Sequence, residues 1–505
     1  MHRVSALLLL LAAALPASAQ PKPDAEAQAK TLAPFLDDQT AAIVHIDVTR
    51  IDLDALAGKL TALAGAEVPE LDLPKRVARG WLDGFRKAGG RSVYVIVSIA
   101  DLPGPPLLVV PVPDGAKVDQ LAAAFQPFQP LGLESDATRA GVVVVGPKPV
   151  LQRVRTLKPS PFPDLAKALA AVDGTAVQVI VQPTPTFRQA LRETMPRFPD
   201  ALGGGPTTII TRDFRWLAVG VDLTPKLGLR VIAQTESDES ARDLRRLAAN
   251  ALGLVSQNKE VQRIYPHIDK LTPTLTPAAD GSRLTLTLDE NQLADVLRPA
   301  VRELRDVLQR RRSMDNLHQI GRALHAYYDR HQKFPAPASY GPDGKPLLSW
   351  RVHLLPFLGH AELYRQFKLD EPWDSPHNQA LIARMPEVYR GPNAALNAAG
   401  KTRYLAPVGS ATVWPGPAAV SLADIKDGTA VTVVVIEAAE AQAVEWTKPD
   451  DWRYDPKQPL AGLADPRRQG FLALMADGSA RFLDSALDPN GLRAYFTISA
   501  GDTTP

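Results

Sequence analysis

The sequence contains no cysteine. Disulfides, thiolate metal sites and a cysteine nucleophile are excluded together. A chain without covalent cross-links depends on core burial, and 505 residues suffice for two or three domains that each bury a core. No arginine-rich stripe interleaved with aromatics occurs, and the formal charge is only +2, so no nucleic-acid partner is indicated. No G-x-S-x-G, P-loop or dinucleotide fingerprint is present. Gly203-Gly204-Gly205 leads into Pro206 and a strand pattern, and so lacks the helix N-terminus that a phosphate site needs. Proline, by contrast, is plentiful at 46 residues and predicts stiff connections, most densely over 335–346 and 407–417.

The first twenty residues read as a secretory signal. His2 and Arg3 give a short basic start, Val4 to Leu15 is apolar, and Ala17-Ser18-Ala19 is an A-x-A-like site, with cleavage expected between Ala19 and Gln20. The apolar run covers 12 residues, short of the roughly 20 that span a bilayer, and no later run is longer. The mature protein is therefore expected to be periplasmic or secreted, with no stable membrane span after signal removal.

Residues 20–40 read as a flexible lead-in, and 41–290 as a duplicated α+β domain. Short apolar runs at 42–48, 92–99, 106–112 and 141–146 predict strands, with amphipathic helices over 53–63 and 118–125. The order recurs with strands at 176–181, 214–223, 228–235 and 284–288 and helices over 186–195 and 239–252. Strand-helix-strand-strand-helix-strand, repeated, predicts a duplicated ferredoxin-like α/β plait, its helices on one face of an antiparallel sheet. Leucines and other apolar residues at three-and-four spacing predict a long helix from Asn291 to His331, kinked or bounded at Pro299. Its first part, 291–312, reads as a connecting helix, and 313–505 as a separate domain.

That last domain carries recognisable blocks: the helix 313–335 with Gly321 and His325, then Trp350 in an apolar run, then Trp373-Asp374-Ser375-Pro376-His377-Asn378, and finally Asp477-Gly478 between two strand patterns. In these blocks, from about residue 313 to 485, the chain resembles the pilin-like H-x9-DG family, domain of unknown function 1559. The resemblance implies a fold like that of the type II secretion pseudopilins, a helix packed on an antiparallel sheet. Two departures stand out. The family's processed hydrophobic assembly helix is replaced by the charged stretch 302–312 and a whole preceding domain, and Arg467 stands where the signature histidine belongs.

Read for chemistry, these residues give structural answers. Aspartate and glycine at 477 and 478 form a hairpin turn in which both positions can take positive φ. Trp350, Trp373 and Trp446 belong in a core. Asp374 can cap a helix begun by Ser375 and Pro376, which leaves His377 and Asn378 with no required chemistry. Six of the nine histidines fall between His318 and His377, but none at a spacing that puts two imidazoles on one metal. The carboxylates Glu437, Glu440, Asp450 and Asp451 read as surface charge. No catalytic, cofactor or metal residue is therefore assigned. The sequence points to a non-enzymatic structural or interaction protein of the bacterial cell envelope, its partner an unknown envelope protein or polymer. The alternatives are a binding module for a small ligand or envelope polymer, using a cleft lined by Trp350, Trp373 and Trp414, and a metal-dependent hydrolase.

Overall fold

A computed structural model describes residues 25–137, 141–160, 162–463 and 470–499. The cleavage site Ala19-Gln20 and Arg467 lie outside the described residues. The chain divides into two compact units, one ending at Arg305 and the other starting at Asp306.

In the first unit ten strands form one antiparallel sheet: β1 (Thr40–Asp47), β2 (Ser92–Ser98), β3 (Leu107–Pro111), β4 (Glu134–Asp136), β5 (Val142–Gly146), β6 (Val177–Val181), β7 (Phe214–Asp222), β8 (Gly228–Thr235), β9 (Ala278–Asp280) and β10 (Arg283–Leu288). Around it run α1 (Ala25–Leu32), α2 (Leu53–Ala64), α3 (Asp72–Lys87), α4 (Val118–Ala123), α5 (Lys148–Thr156), α6 (Leu165–Ala171), α7 (Pro185–Thr194), α8 (Asp238–Gln257), α9 (Lys259–Ile264), α10 (Ile268–Leu275) and the start of α11 (Glu290–His331). Local chemistry sets several boundaries. The Asp52 carboxylate accepts from the Ala55 amide at the start of α2, Gly65 ends that helix at φ 73°, and Ser237 caps α8.

The strands run β4-β5-β3-β2-β1-β6-β7-β8-β10-β9. Each half thus has the same order outward from the β1·β6 pair, as the repeated element order implies. The split plait expected from the sequence is not what forms, because β1 pairs directly and antiparallel with β2. In both halves the chain returns antiparallel, β1 to β2 and β6 to β7, so strands consecutive in sequence lie side by side as a meander instead of taking the crossover of a plait. Between β1 and β2 the chain also forms α3, a helix that carries Pro74, Gly80 and Gly84 and is not among the sequence expectations.

The expected one-sided cover is also replaced. Tyr94, Ile96, Val109 and Val144 face α1, α5 and α6, while Val93, Val95, Val110 and Val145 face α2, α3 and α4. Burial on both faces explains why these strands read as unbroken apolar runs instead of alternating ones. The lead-in differs too. From Ala25 it is helical, and Leu32, Phe35 and Leu36 are buried in the core where a flexible segment was expected.

The second unit begins on α11, which is 42 residues long and continues through Pro299. Leu317, Ile320, Ala323 and Leu324 form its buried stripe. They share a core with a four-stranded antiparallel sheet of β11 (Tyr404–Leu405), β12 (Val433–Glu437), β13 (Gly470–Met475) and β14 (Ala480–Asp484). A helix on an antiparallel sheet is the coarse arrangement that the resemblance implies. Trp350, Trp414 and Trp446 are fully buried in the same core, where such rings contribute most of the buried area.

Candidate functional site

The residues singled out in the sequence come together in part. Gly321 on α11 lies under the β13–β14 turn. A Cβ there would meet the Leu474 side chain at 2.9 Å and the Gly478 carbonyl oxygen at 3.2 Å. His325, one turn on, lies against the same glycine, 3.4 Å from where a Cβ on Gly478 would sit. Its Nε2 is closed off from solvent and has no hydrogen-bond partner. Glycine at both contact points lets helix and hairpin meet at backbone distance.

The hairpin itself uses a different turn from the expected one. The Gly478 amide donates to the Met475 carbonyl at 3.0 Å, and Gly478 alone takes positive φ, at 86°. Asp477 stays in the ordinary region. Its carboxylate accepts from the Ser479 amide at 2.8 Å and from the Ser479 hydroxyl at 2.7 Å. Partial burial opposes the charge, but these bonds, with Arg481 and His325 nearby, hold the carboxyl below its ordinary range.

Gly321→Ala should therefore destabilise the second unit by about 1–3 kcal/mol, although alanine is the better helix former. Gly253→Ala in α8, with nothing within 4 Å of the new Cβ, should stabilise by about 0.4–1 kcal/mol. Urea unfolding of the two variants checks the pair, and equal signs would refute the packing argument.

The second block is a folded loop. Ser375, not Asp374, caps the short helix Pro376–Gln379, accepting from the Asn378 amide, and Asp374 is exposed. Serine takes the role because Pro376 follows it directly at the first helical position. Asn378 is fully buried. Its amide nitrogen donates to the carbonyls of Lys368, Glu371 and Pro372, and its oxygen accepts from the Lys368 amide. His377 is exposed and donates from Nε2 to the Gln366 carbonyl at 2.7 Å. Trp373 is half-buried, with the Lys448 ammonium 5.7 Å from its ring centroid.

Trp350 and Trp414 pack against each other with centroids 5.3 Å apart, inside the core. They cannot line the open cleft considered from the sequence. Among the described residues no three histidine or carboxylate side chains gather as a metal site.

The sequence reading missed a chain of buried polar groups. Arg351 is fully buried and pairs with Asp451, donating also to the Tyr404 carbonyl at 2.9 Å and the Ser349 hydroxyl at 2.7 Å. Glu437, also buried, accepts from the Ser313 hydroxyl at 2.9 Å and lies 3.6 Å from Arg403. Asn316 donates to the Tyr404 hydroxyl at 3.2 Å. Asp451 and Glu437 are thus core carboxylates, not the surface charges expected. One signal was available, an arginine inside the apolar run 350–358 and a glutamate closing the Val-Val-Val-Ile run of β12.

This core of helix, buried charges and loop includes the stretch that can be compared with known proteins. Residues 309–406 match a family described as a protein of unknown function, DUF1559. The match begins on α11 and ends after β11, so it takes in Gly321, His325, Arg351 and Asn378 and stops before the Asp477-Gly478 hairpin. No curated protein matches the chain. Two solved structures of TP0453, crystal forms I and III, align over 53% and 56% of this chain and 97% and 99% of their own. Their identities are 11% and 13% and their TM-scores 0.22 and 0.25, values that establish no shared fold. DUF1559 carries no described activity, so the chemistry rests on the residues themselves.

Proposed function

We propose that the chain is an exported, non-enzymatic structural or interaction protein of the bacterial cell envelope, with a duplicated N-terminal unit and a pilin-like C-terminal unit. One observation carries this reading. Gly321, His325, Asp477 and Gly478 are spent on seating the β13–β14 hairpin against α11, and Asn378 is spent on shaping a loop. Residues used in this way hold neighbouring backbone segments together, which supports a structural role for the motif positions. The signal-like start and the DUF1559 match support the same reading. Among the described residues, no helix is long and apolar enough to cross a membrane.

Export is tested by expressing the full chain with a C-terminal tag and sequencing the N-terminus of the mature protein after fractionation. A new N-terminus at Gln20 in the periplasmic or envelope fraction is expected. Retention of Met1 in the cytosolic fraction would overturn the proposal. Crosslinking in the native envelope then identifies the partner.

A further inference from the structure

Helix α3 turns an apolar, glycine-lined face outward. Its inner side is fixed in the fold. Ala78, Leu82 and Phe85 are buried with the sheet and α4, and Trp81 stacks on Phe85 with ring centroids 5.1 Å apart. On the other side Leu73 and Val77 stand 63% and 56% exposed. Gly80 and Gly84 continue the same stripe at helical spacing, and a Cβ on either would meet nothing within 4 Å. Glycine disfavours a helix interior, and packing within the chain requires it at neither position. Two large aliphatic side chains followed by two bare backbone positions make a ridge beside a groove.

The charges along this face form a pattern that is complementary to itself. Asp72, Arg76, Asp83 and Lys87 are exposed along one flank of the stripe. Turned end for end about a point between Arg79 and Gly80, the helix brings Asp72 level with Lys87 and Arg76 level with Asp83. Two copies related by a two-fold axis meet flank to same flank, because an isologous interface sets each patch against itself. Opposite charges then face each other at both levels. In the same register Val77 falls level with Leu82 of the other copy, midway between Gly80 and Gly84, so its side chain enters the gap where no Cβ stands. Lys75 and Arg79 lie toward α2 instead, where both pair with Asp54.

We propose that α3 docks on the α3 of a second copy of this chain, antiparallel, about a two-fold axis between Arg79 and Gly80. One register satisfies the charges and the packing together. A parallel pair would level each charge with its own like and bring the charged flank onto Val77. The self-complementary order of charges singles out a second copy over an unrelated helix. A single helix pair buries less than the roughly 1,200 Å² of stable complexes, so the association is weak, with a dissociation constant on the order of 100 µM.

The inference does not rest on the envelope reading. Sedimentation equilibrium of the purified chain from about 10 to 500 µM, bracketing that constant, is expected to show monomer and dimer in exchange. Arg76→Asp or Asp83→Arg alone should weaken the dimer about tenfold, and the two together should restore it, since the swapped signs meet again across the axis. An unchanged urea midpoint shows that each variant is folded. The lack of native cysteine allows a second measurement. Gly80→Cys, beside the axis, should join two copies on mild oxidation, whereas Gly58→Cys, exposed on α2 with open space around it, should not. A chain that stays monomeric throughout, a double reversal no tighter than the single ones, or equal crosslinking from the two cysteines would overturn the proposal.

Discussion

Arg351→Met is expected to lower the stability of the C-terminal unit by about 3–5 kcal/mol at pH 7.5, and by clearly less at pH 5. The guanidinium is wholly buried, stacks 4.8 Å from the Trp350 ring centroid and pairs with Asp451. Removing it leaves the Asp451 carboxylate in the core with two neutral donors, the Ala406 amide at 2.7 Å and the Trp350 indole at 3.3 Å. An uncompensated buried charge costs more than the pair itself contributes, because the desolvation already incurred is no longer offset. Burial pushes the Asp451 carboxyl up to about 6 even with Arg351, Ala406 and Trp350 favouring the charged form. Without Arg351 it rises further, so acidification neutralises it and removes most of the penalty. Asp451→Asn in the same background should recover stability at pH 7.5 for the same reason. Five of the seven tryptophans lie in this unit, so fluorescence-detected urea unfolding follows it directly. An equal loss at both pH values would refute this account of the pair.

The same pair shows why the candidate site was only partly legible. Periodicity reports which face of an element is buried, and it holds for Leu317, Ile320 and Leu324 but not for Leu304 of the same stripe, which stands exposed. It cannot report that a charged side chain between apolar neighbours turns inward to meet another from 100 residues away. Asp450 and Asp451 are adjacent and alike in sequence. Only the second is buried, because the chain there passes the Ala406 amide. Gly321 and Gly478 were visible as resemblance positions, but the contact joining them is a tertiary fact.

For the fold, eight of the ten strands of the first unit were legible within a few residues, since β-branched runs such as those of β5 and β6 leave no helical alternative, while the short β4 and β9 offer no apolar run. The topology did not follow from the element order, because the direct antiparallel pairing of β1 with β2 and of β6 with β7 is a tertiary fact that a strand-helix-strand order does not report. Apolar runs that did not alternate were the clue to a sheet covered on both faces.

His353→Leu is expected to make the C-terminal unit gain stability on acidification relative to the wild type, by on the order of 3 kcal/mol between pH 7.5 and 4. His353 follows the Trp350-Arg351 core, edge-on to Tyr364 at 6.3 Å, and its Nε2 is shut from water without a partner. Burial pushes the imidazole down to about 4, against an ordinary value of 6.5. The unfolded chain therefore takes up a proton between about 6.5 and 4 that the folded unit refuses, and the contribution of His353, complete above 6.5, is lost across that window. Asp451 acts in the opposite sense over nearly the same range. Its raised folded value lets the native unit bind a proton between about 6 and 4 that the unfolded chain does not, which adds stability as the pH falls. In the wild type the two contributions largely cancel. Removing the histidine leaves the aspartate's gain uncovered, and Asp451→Asn leaves the histidine's loss. Urea unfolding at half-unit pH steps should show the two variants diverging from the wild type in opposite directions below pH 6.5. Parallel curves for all three proteins would mean that neither group titrates in the folded core.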